Sequence, residues 1–137
     1  MEHDGKIIDL IRADQKPFSS LEYFPPRSES GVQNLRDRLA RMALTDPLFV
    51  DFTWGAGGST AELTLGLTLE CKRRLGLRAN MHVTCTNMPI EKIDDALQAC
   101  RDNGITNIVA LRGDPPAGQS EWVAAEGGLT CALDLVK

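Results

Sequence analysis

Asn107-Ile108-Val109-Ala110-Leu111-Arg112-Gly113-Asp114-Pro115-Pro116 is an apolar run that ends on a guanidinium, a glycine and a carboxylate. The β-branched and apolar residues from Ile105 to Leu111 predict a buried strand, which the two prolines stop. Arg112 and Asp114 follow neither a helical nor a strand alternation. They are either a solvated loop ion pair or chemistry held at the end of a rigid strand. Three earlier stretches repeat the pattern: Pro17 to Phe24, closed by Pro25-Pro26; Leu48 to Thr53; and Ala79 to Thr84. Strand centres at Leu21, Val50, Met81 and Val109 lie 29, 31 and 28 residues apart. With a helical pattern between each pair, this rhythm predicts an α/β fold with a parallel sheet. Both the open doubly wound sheet and the (β/α)8 TIM barrel have that rhythm.

The intervening helices are read from period and caps. Ser30-Gly31-Val32-Gln33 has the form of a capping box, followed by Val32, Leu35, Leu39 and Met42 at helical spacing. Ser59 with Glu62 predicts the start of the next helix, which carries Leu63 and Leu67 and stops at Gly76. Pro89 is expected in the first turn of a third helix with stripe Ile90, Ile93, Leu97 and Cys100, ended by Gly104. Leu129, Leu133 and Val136 begin a fourth, and the Lys6 to Arg12 stripe predicts a short helix packed across one end of the domain. A barrel takes about 250 residues. Residues 1–137 are therefore expected to be about the first four β/α units, an apparent fragment forming the N-terminal half of a barrel, with no internal domain boundary.

A net charge of −4, with no basic run longer than Lys72-Arg73-Arg74, argues against nucleic acid or an anionic membrane as partner. No apolar stretch is long enough to span a bilayer. The polar, acidic N-terminus lacks the features of a signal or transit peptide, so the cytoplasm is expected. Cys71, Cys85, Cys100 and Cys131 fall singly, indicating neither a zinc site nor a disulfide framework.

Parallel α/β folds place their working residues at the carboxyl ends of strands. Here those ends supply Glu22, Thr53 with Trp54, His82 with Thr84, and Arg112 with Asp114. Glu22 is the sharpest signal. Within a buried strand its carboxylate is costly unless paired or protonated, and burial would raise its pKa into a range suited to general acid work. Alternatively it pairs with Arg112 or points to water. Gly55-Ala56-Gly57-Gly58-Ser59-Thr60 could meet a phosphate at a helix N-terminus, or be a bare structural turn; it does not have the dinucleotide-binding spacing. His82 on an apolar strand is more often a satisfied core residue than a ligand, and with no His cluster a zinc-dependent hydrolase is disfavoured. Strand ends without lysine and a chain without G-x-S-x-G disfavour a Schiff-base aldolase and a serine hydrolase.

Four ordered motifs carry a resemblance. Ser20-Leu21-Glu22-Tyr23-Phe24-Pro25-Pro26, Thr53-Trp54-Gly55-Ala56-Gly57-Gly58-Ser59-Thr60, Met81-His82-Val83-Thr84-Cys85 and Ala110-Leu111-Arg112-Gly113-Asp114-Pro115-Pro116 resemble methylenetetrahydrofolate reductase over nearly the whole chain. With Glu126-Gly127-Gly128, the wording is most similar to eukaryotic members.

The resemblance implies a (β/α)8 barrel with FAD at the strand carboxyl ends, reduced by NADH or NADPH. The flavin then reduces 5,10-methylenetetrahydrofolate to 5-methyltetrahydrofolate, in one-carbon and methionine metabolism. It makes Glu22 the acid that protonates the folate and Asp114 a carboxylate near flavin and folate, both touching substrate. Thr53, Trp54, His82, Arg112, Gly113, Asp114 and Ala132 match flavin contacts, although Cys131 stands where several members carry tyrosine. Glu22, Tyr23, Phe24, Pro25, Pro26 and Arg27 match a stretch associated with the nicotinamide cofactor. No metal is implied. A homo-oligomer is expected for full-length members, and eukaryotic ones add a regulatory domain that binds S-adenosylmethionine. A reading of another class is a truncated, catalytically inactive form that associates with full-length subunits through open sheet edges.

Overall fold

The computed structural model describes residues 5–14, 16–55, 58–85, 88–115 and 117–137. A short helix α1 (Ile7–Ala13) precedes β1 (Ser20–Tyr23), α2 (Glu29–Ala43), β2 (Phe49–Phe52), α3 (Ala61–Arg74), β3 (Ala79–Thr84), α4 (Ile90–Asp102), β4 (Ile108–Leu111) and α5 (Ala132–Val136). All strand pairs are parallel, and the strands lie side by side in chain order, β1-β2-β3-β4. That order separates the two architectures the rhythm left open. A doubly wound sheet reverses its direction of growth, whereas a barrel adds each strand beyond the last. The four units are a partial barrel.

Strand side chains alternate between the two faces of a sheet. Leu21, Tyr23, Val50, Phe52, Ala79, Met81 and Val83 all project from one face into the apolar clusters, where Leu35, Leu39, Leu67, Cys71 and Ile93 meet them from the helices. Glu22, Asp51 and Asn80 are paired in register across β1, β2 and β3, so they form a row on the opposite face. His82 and Thr84 continue that face along β3. Helix α1 is anchored at the amino end of β4, where the Ile7 amide donates to Asn107 Oδ1 at 2.9 Å.

Several sequence expectations are corrected. Helix α2 is capped by Ser28, whose Oγ accepts from the Gly31 amide at 3.1 Å, and Ser30 lies inside the first turn. Gln33 bonds forward to Asp37 rather than back to a cap. Ser59 does not cap α3; Thr60 precedes the helix, and its hydroxyl is drawn back to accept from the Gly55 amide at 2.8 Å. Pro89 is the residue before α4, not within its first turn, and Ile90 is exposed. In α5, Leu135 rather than Leu133 or Val136 packs on the core.

The strand expected over Ile105 to Leu111 is paired only from Ile108, and Ile108 and Val109 are each 37% exposed because β4 is an outer strand of the described sheet. Ile105 does other work. Gly104, at φ +66°, turns the chain out of α4, and the amides of Gly104 and Ile105 bond back to the carbonyls of Arg101 and Cys100. The buried Ile105 side chain closes this helix end.

The fully buried Cys71 thiol carries a pH signature. Burial, with the Glu70 carboxylate adding to it, pushes its pKa from the usual 9.0 up to about 12. Above pH 9 the unfolded chain releases a proton that the folded chain keeps, so stability is complete below pH 9 and falls as pH rises toward 12. The slope is at most about 1.4 kcal/mol per pH unit. Burial raises the Cys100 thiol in the same sense. Urea midpoints measured across this range should fall with pH, and Cys71→Ala should flatten the fall; an unchanged slope would remove Cys71 as its source.

Candidate active site at the carboxyl ends of the strands

The polar row is built by register. Glu22 pairs with Asp51 across β1 and β2, and Asp51 pairs with Asn80 across β2 and β3. Asp51 Oδ1 accepts from Asn80 Nδ2 at 2.7 Å and lies 3.3 Å from His82 Nε2. The same imidazole nitrogen is 4.0 Å from Glu22 Oε2. Asp51 and His82 side chains are largely buried, at 11% and 14% exposed, whereas that of Glu22 is 51% exposed. The buried carboxylate expected at Glu22 is therefore found at Asp51. Glu22 lies on the outer strand β1, and its accessible carboxyl neighbours His82 rather than being enclosed.

Sequence reading missed Asp51 and Asn80. The signal was available, since Asp51 interrupts an apolar run between Val50 and Phe52 as Glu22 does between Leu21 and Tyr23. Both Glu22 to Asp51 and Asp51 to Asn80 are steps of 29 residues, the strand repeat itself.

Beyond β2, Thr53 and Trp54 lead into the glycine loop. The Gly55 amide, a donor the phosphate reading needs, is taken by Thr60 Oγ1; that hydroxyl lies 3.1 Å from Thr64 Oγ1, which donates to the Thr53 carbonyl at 2.9 Å. This network favours the structural-turn reading, while Ala56 and Gly57 lie outside the described residues. Trp54 is buried, and among the described residues its indole Nε1 has no hydrogen-bond partner. A groove of about 1060 Å³ beside it runs between α3 and α4, lined by Gly58, Leu65, Met81 and Met88 among others. Since Met81 projects to the helix side, this groove is separate from the polar row.

At the end of β4, the Arg112 guanidinium lies 5.2 Å from the ring centre of Trp122, a cation–π distance. Gly113 has φ +85°, a conformation that costs a side chain about 1–2 kcal/mol and that turns the chain to present exposed Asp114. Three strand spacings separate β4 from β1, about 14 Å. Glu22 and Asp114 thus belong to opposite margins of the sheet, with His82 and Asp51 on the strands between.

Not every predicted residue faces this row. The Tyr23 ring packs in the core on the helix side, stacked 5.8 Å from Phe52, and burial raises its hydroxyl pKa. Phe24 and Arg27 are exposed and Pro25 and Pro26 half-buried, while Ala132 opens α5 behind Cys131. Thr84 is buried with an unpartnered hydroxyl, and Asn80 Oδ1 is likewise unpartnered among the described residues. Both atoms lie on the row's own face.

Residues 6–137 match the family profile described as methylenetetrahydrofolate reductase. The chain belongs to the methylenetetrahydrofolate reductase family. It is 52% identical over 135 residues to "Methylenetetrahydrofolate reductase (NADH) 1" of Zea mays and 53% identical over 135 residues to the Arabidopsis thaliana protein of the same name. Each alignment covers 96% of this chain and 23% of the relative. "5,10-methylenetetrahydrofolate reductase" of Salmonella typhimurium is 36% identical over 109 residues, covering 78% of this chain and 37% of that protein. The likeness to eukaryotic members is the stronger one. The chain spans about a quarter of the length of the plant relatives it matches. Membership accords with the (β/α)8 architecture and with strands added in chain order. Among the described residues, no helix is long and apolar enough to cross a membrane.

Proposed function

We propose that this chain is the N-terminal half of the flavin-binding barrel of a reductase that converts 5,10-methylenetetrahydrofolate to 5-methyltetrahydrofolate with NADH as electron donor. The observation that carries the reading is the row Glu22, Asp51, Asn80 and His82 on the face turned away from the helices, in a chain of this family. NADH is chosen over NADPH because the maize, rice and Arabidopsis relatives are named for it.

FAD fits the residues present. The unpartnered Thr84 hydroxyl and Asn80 carbonyl oxygen lie on the row's face, with the Arg112 guanidinium at the next strand end for an anionic group. When bound, FAD supplies a two-electron carrier between nicotinamide and folate. Thr53, Trp54, His82, Arg112, Gly113, Asp114 and Ala132 would hold it, Trp54 only through its backbone because its ring lies in the helix-side cluster, and the stretch from Glu22 to Arg27 would meet the nicotinamide cofactor. Because the Tyr23 ring is committed to the core, that residue can contribute only its backbone there.

Glu22 relays a proton through an accessible carboxyl to a folate ring nitrogen, so that the C–N bond of the five-membered ring breaks and the methylene carbon can accept hydride. NADH and one proton are consumed and NAD⁺ is released. Asp114, at the far margin, supplies a negative charge toward the cation formed on ring opening. The four free cysteines suit the reducing cytoplasm, where this reading locates the protein, and a homo-oligomer is its assembly.

The test is flavin retention and NADH oxidation by the purified 137-residue chain, with intact mass verified. A yellow protein that oxidises NADH with menadione or methylenetetrahydrofolate as acceptor supports the reading. A second reading, a non-catalytic form that associates with longer subunits, is favoured by the exposed Ile108 and Val109 on outer strand β4. A colourless chain captured by full-length family members would select it.

A further inference from the structure

Neither the apolar clusters nor the glycine loop accounts for Asp51, a carboxylate buried in the middle of a sheet. We infer that Asp51 is the positioning residue of the site: it fixes the imidazole of His82 as the Nε2–H tautomer and so sets the ring beside Glu22. The inference rests on the reading of Glu22 as proton donor.

Its basis is the donor and acceptor count around one oxygen. An ionised carboxylate only accepts hydrogen bonds. Asp51 Oδ1 takes an amide N–H from Asn80 at 2.7 Å, and His82 Nε2 lies 3.3 Å from the same oxygen. Nε2 must therefore carry the hydrogen, leaving Nδ1 as the acceptor in the neutral ring. Backbone register holds this geometry: Asp51 and Asn80 face each other across β2 and β3, and His82 is two residues further along the same face. Neither Asp51 nor Asn80 can swing away without leaving a buried polar group unsatisfied, which costs about 1–3 kcal/mol.

Glu22 faces Asp51 from the other side in register, and like charges directly opposed across strands repel. Donors from Asn80 and His82 both converge on Asp51, whereas Glu22 is half-exposed with His82 Nε2 at 4.0 Å. The two carboxylates consequently divide the work. Asp51 is a fixed acceptor that orients, and Glu22 is the group open to solvent and substrate.

The experiment uses the 137-residue chain itself. It contains two histidines, His3 and His82, so His3→Gln leaves a single imidazole for ¹⁵N-resolved NMR. The expected result is a protonated Nε2 with a slowly exchanging, downfield ring N–H. Asp51→Asn should keep that signal, because a carboxamide oxygen still accepts, while Asp51→Ala should lose it with the dispersed amide spectrum intact. A protonated Nδ1 in the parent, or a ring N–H that persists in Asp51→Ala because Glu22 holds it, overturns the inference. Should Asp51→Ala fail to fold, the parent tautomer and the Asp51→Asn spectrum decide. None of these readouts needs turnover, so an inactive chain with the expected tautomer would count against the proposed reaction and leave the positioning of His82 standing.

Discussion

Phe52→Ala is expected to destabilise the chain by about 3–5 kcal/mol, the range for emptying a buried aromatic site. Domains of this size are stable by only about 5–15 kcal/mol, so the variant should be partly or wholly unfolded at room temperature. Phe52 is fully buried, its ring stacks on Tyr23, and it faces the cluster built by Leu35, Leu39 and Leu67. Strand β2, helix α2 and helix α3 converge on it, and rigid backbone on every side limits how far the cavity can collapse. Phe49 is the internal control. Three residues earlier, it projects from the opposite face, is partly exposed and touches the half-exposed Phe18 at 6.1 Å. Phe49→Ala should therefore cost less than half as much. Urea titration reads both, as a fall in midpoint with unchanged slope. Equal costs for the two would mean that the faces of the sheet are not differentiated as described.

Much of the fold was legible because the signals behind it are local. Strands followed from apolar, β-branched runs stopped by proline, and their spacing implied a parallel sheet. Strand order was not legible, because doubly wound sheets and barrels share the same rhythm; only the hydrogen-bonded neighbours β1-β2-β3-β4 distinguish them. Helix ends were misplaced where two residues competed for one role. Ser28 and Ser30 are both good caps, and the one with extended backbone, φ −118° and ψ 152°, took the position. Thr60 lost its capping role because its hydroxyl had a better-placed partner in the Gly55 amide.

In the candidate site, Glu22 and His82 could be picked out as polar residues inside strands, but their environments could not. Burial depends on where a strand lies in the sheet. Glu22 is on an outer strand and stays accessible, while Asp51, one strand inward at the same level, is enclosed. That Arg112 would meet an aromatic ring was likewise a question of chain return, since Trp122 comes from the segment after β4.

On the proposed function, Glu22→Gln is expected to lower the rate of methylenetetrahydrofolate reduction by about 10²–10⁴-fold, the usual contribution of a positioned general acid. NADH oxidation with menadione as acceptor should fall far less, because there Glu22 supplies at most a binding contact and no proton. Glutamine has nearly the volume of glutamate and the site is half-exposed, so neither packing nor folding explains such a loss. What changes is the proton. The carboxyl can give one up and recover it from solvent, whereas the carboxamide cannot, and only the folate half of the reaction has a C–N bond whose cleavage needs protonation. The split between the two acceptors carries the argument. If both rates fall together, Glu22 serves binding or the shape of the site rather than proton delivery; if neither falls, the acid lies elsewhere. His82, 4.0 Å away and tied to Asp51, is then the next residue to replace.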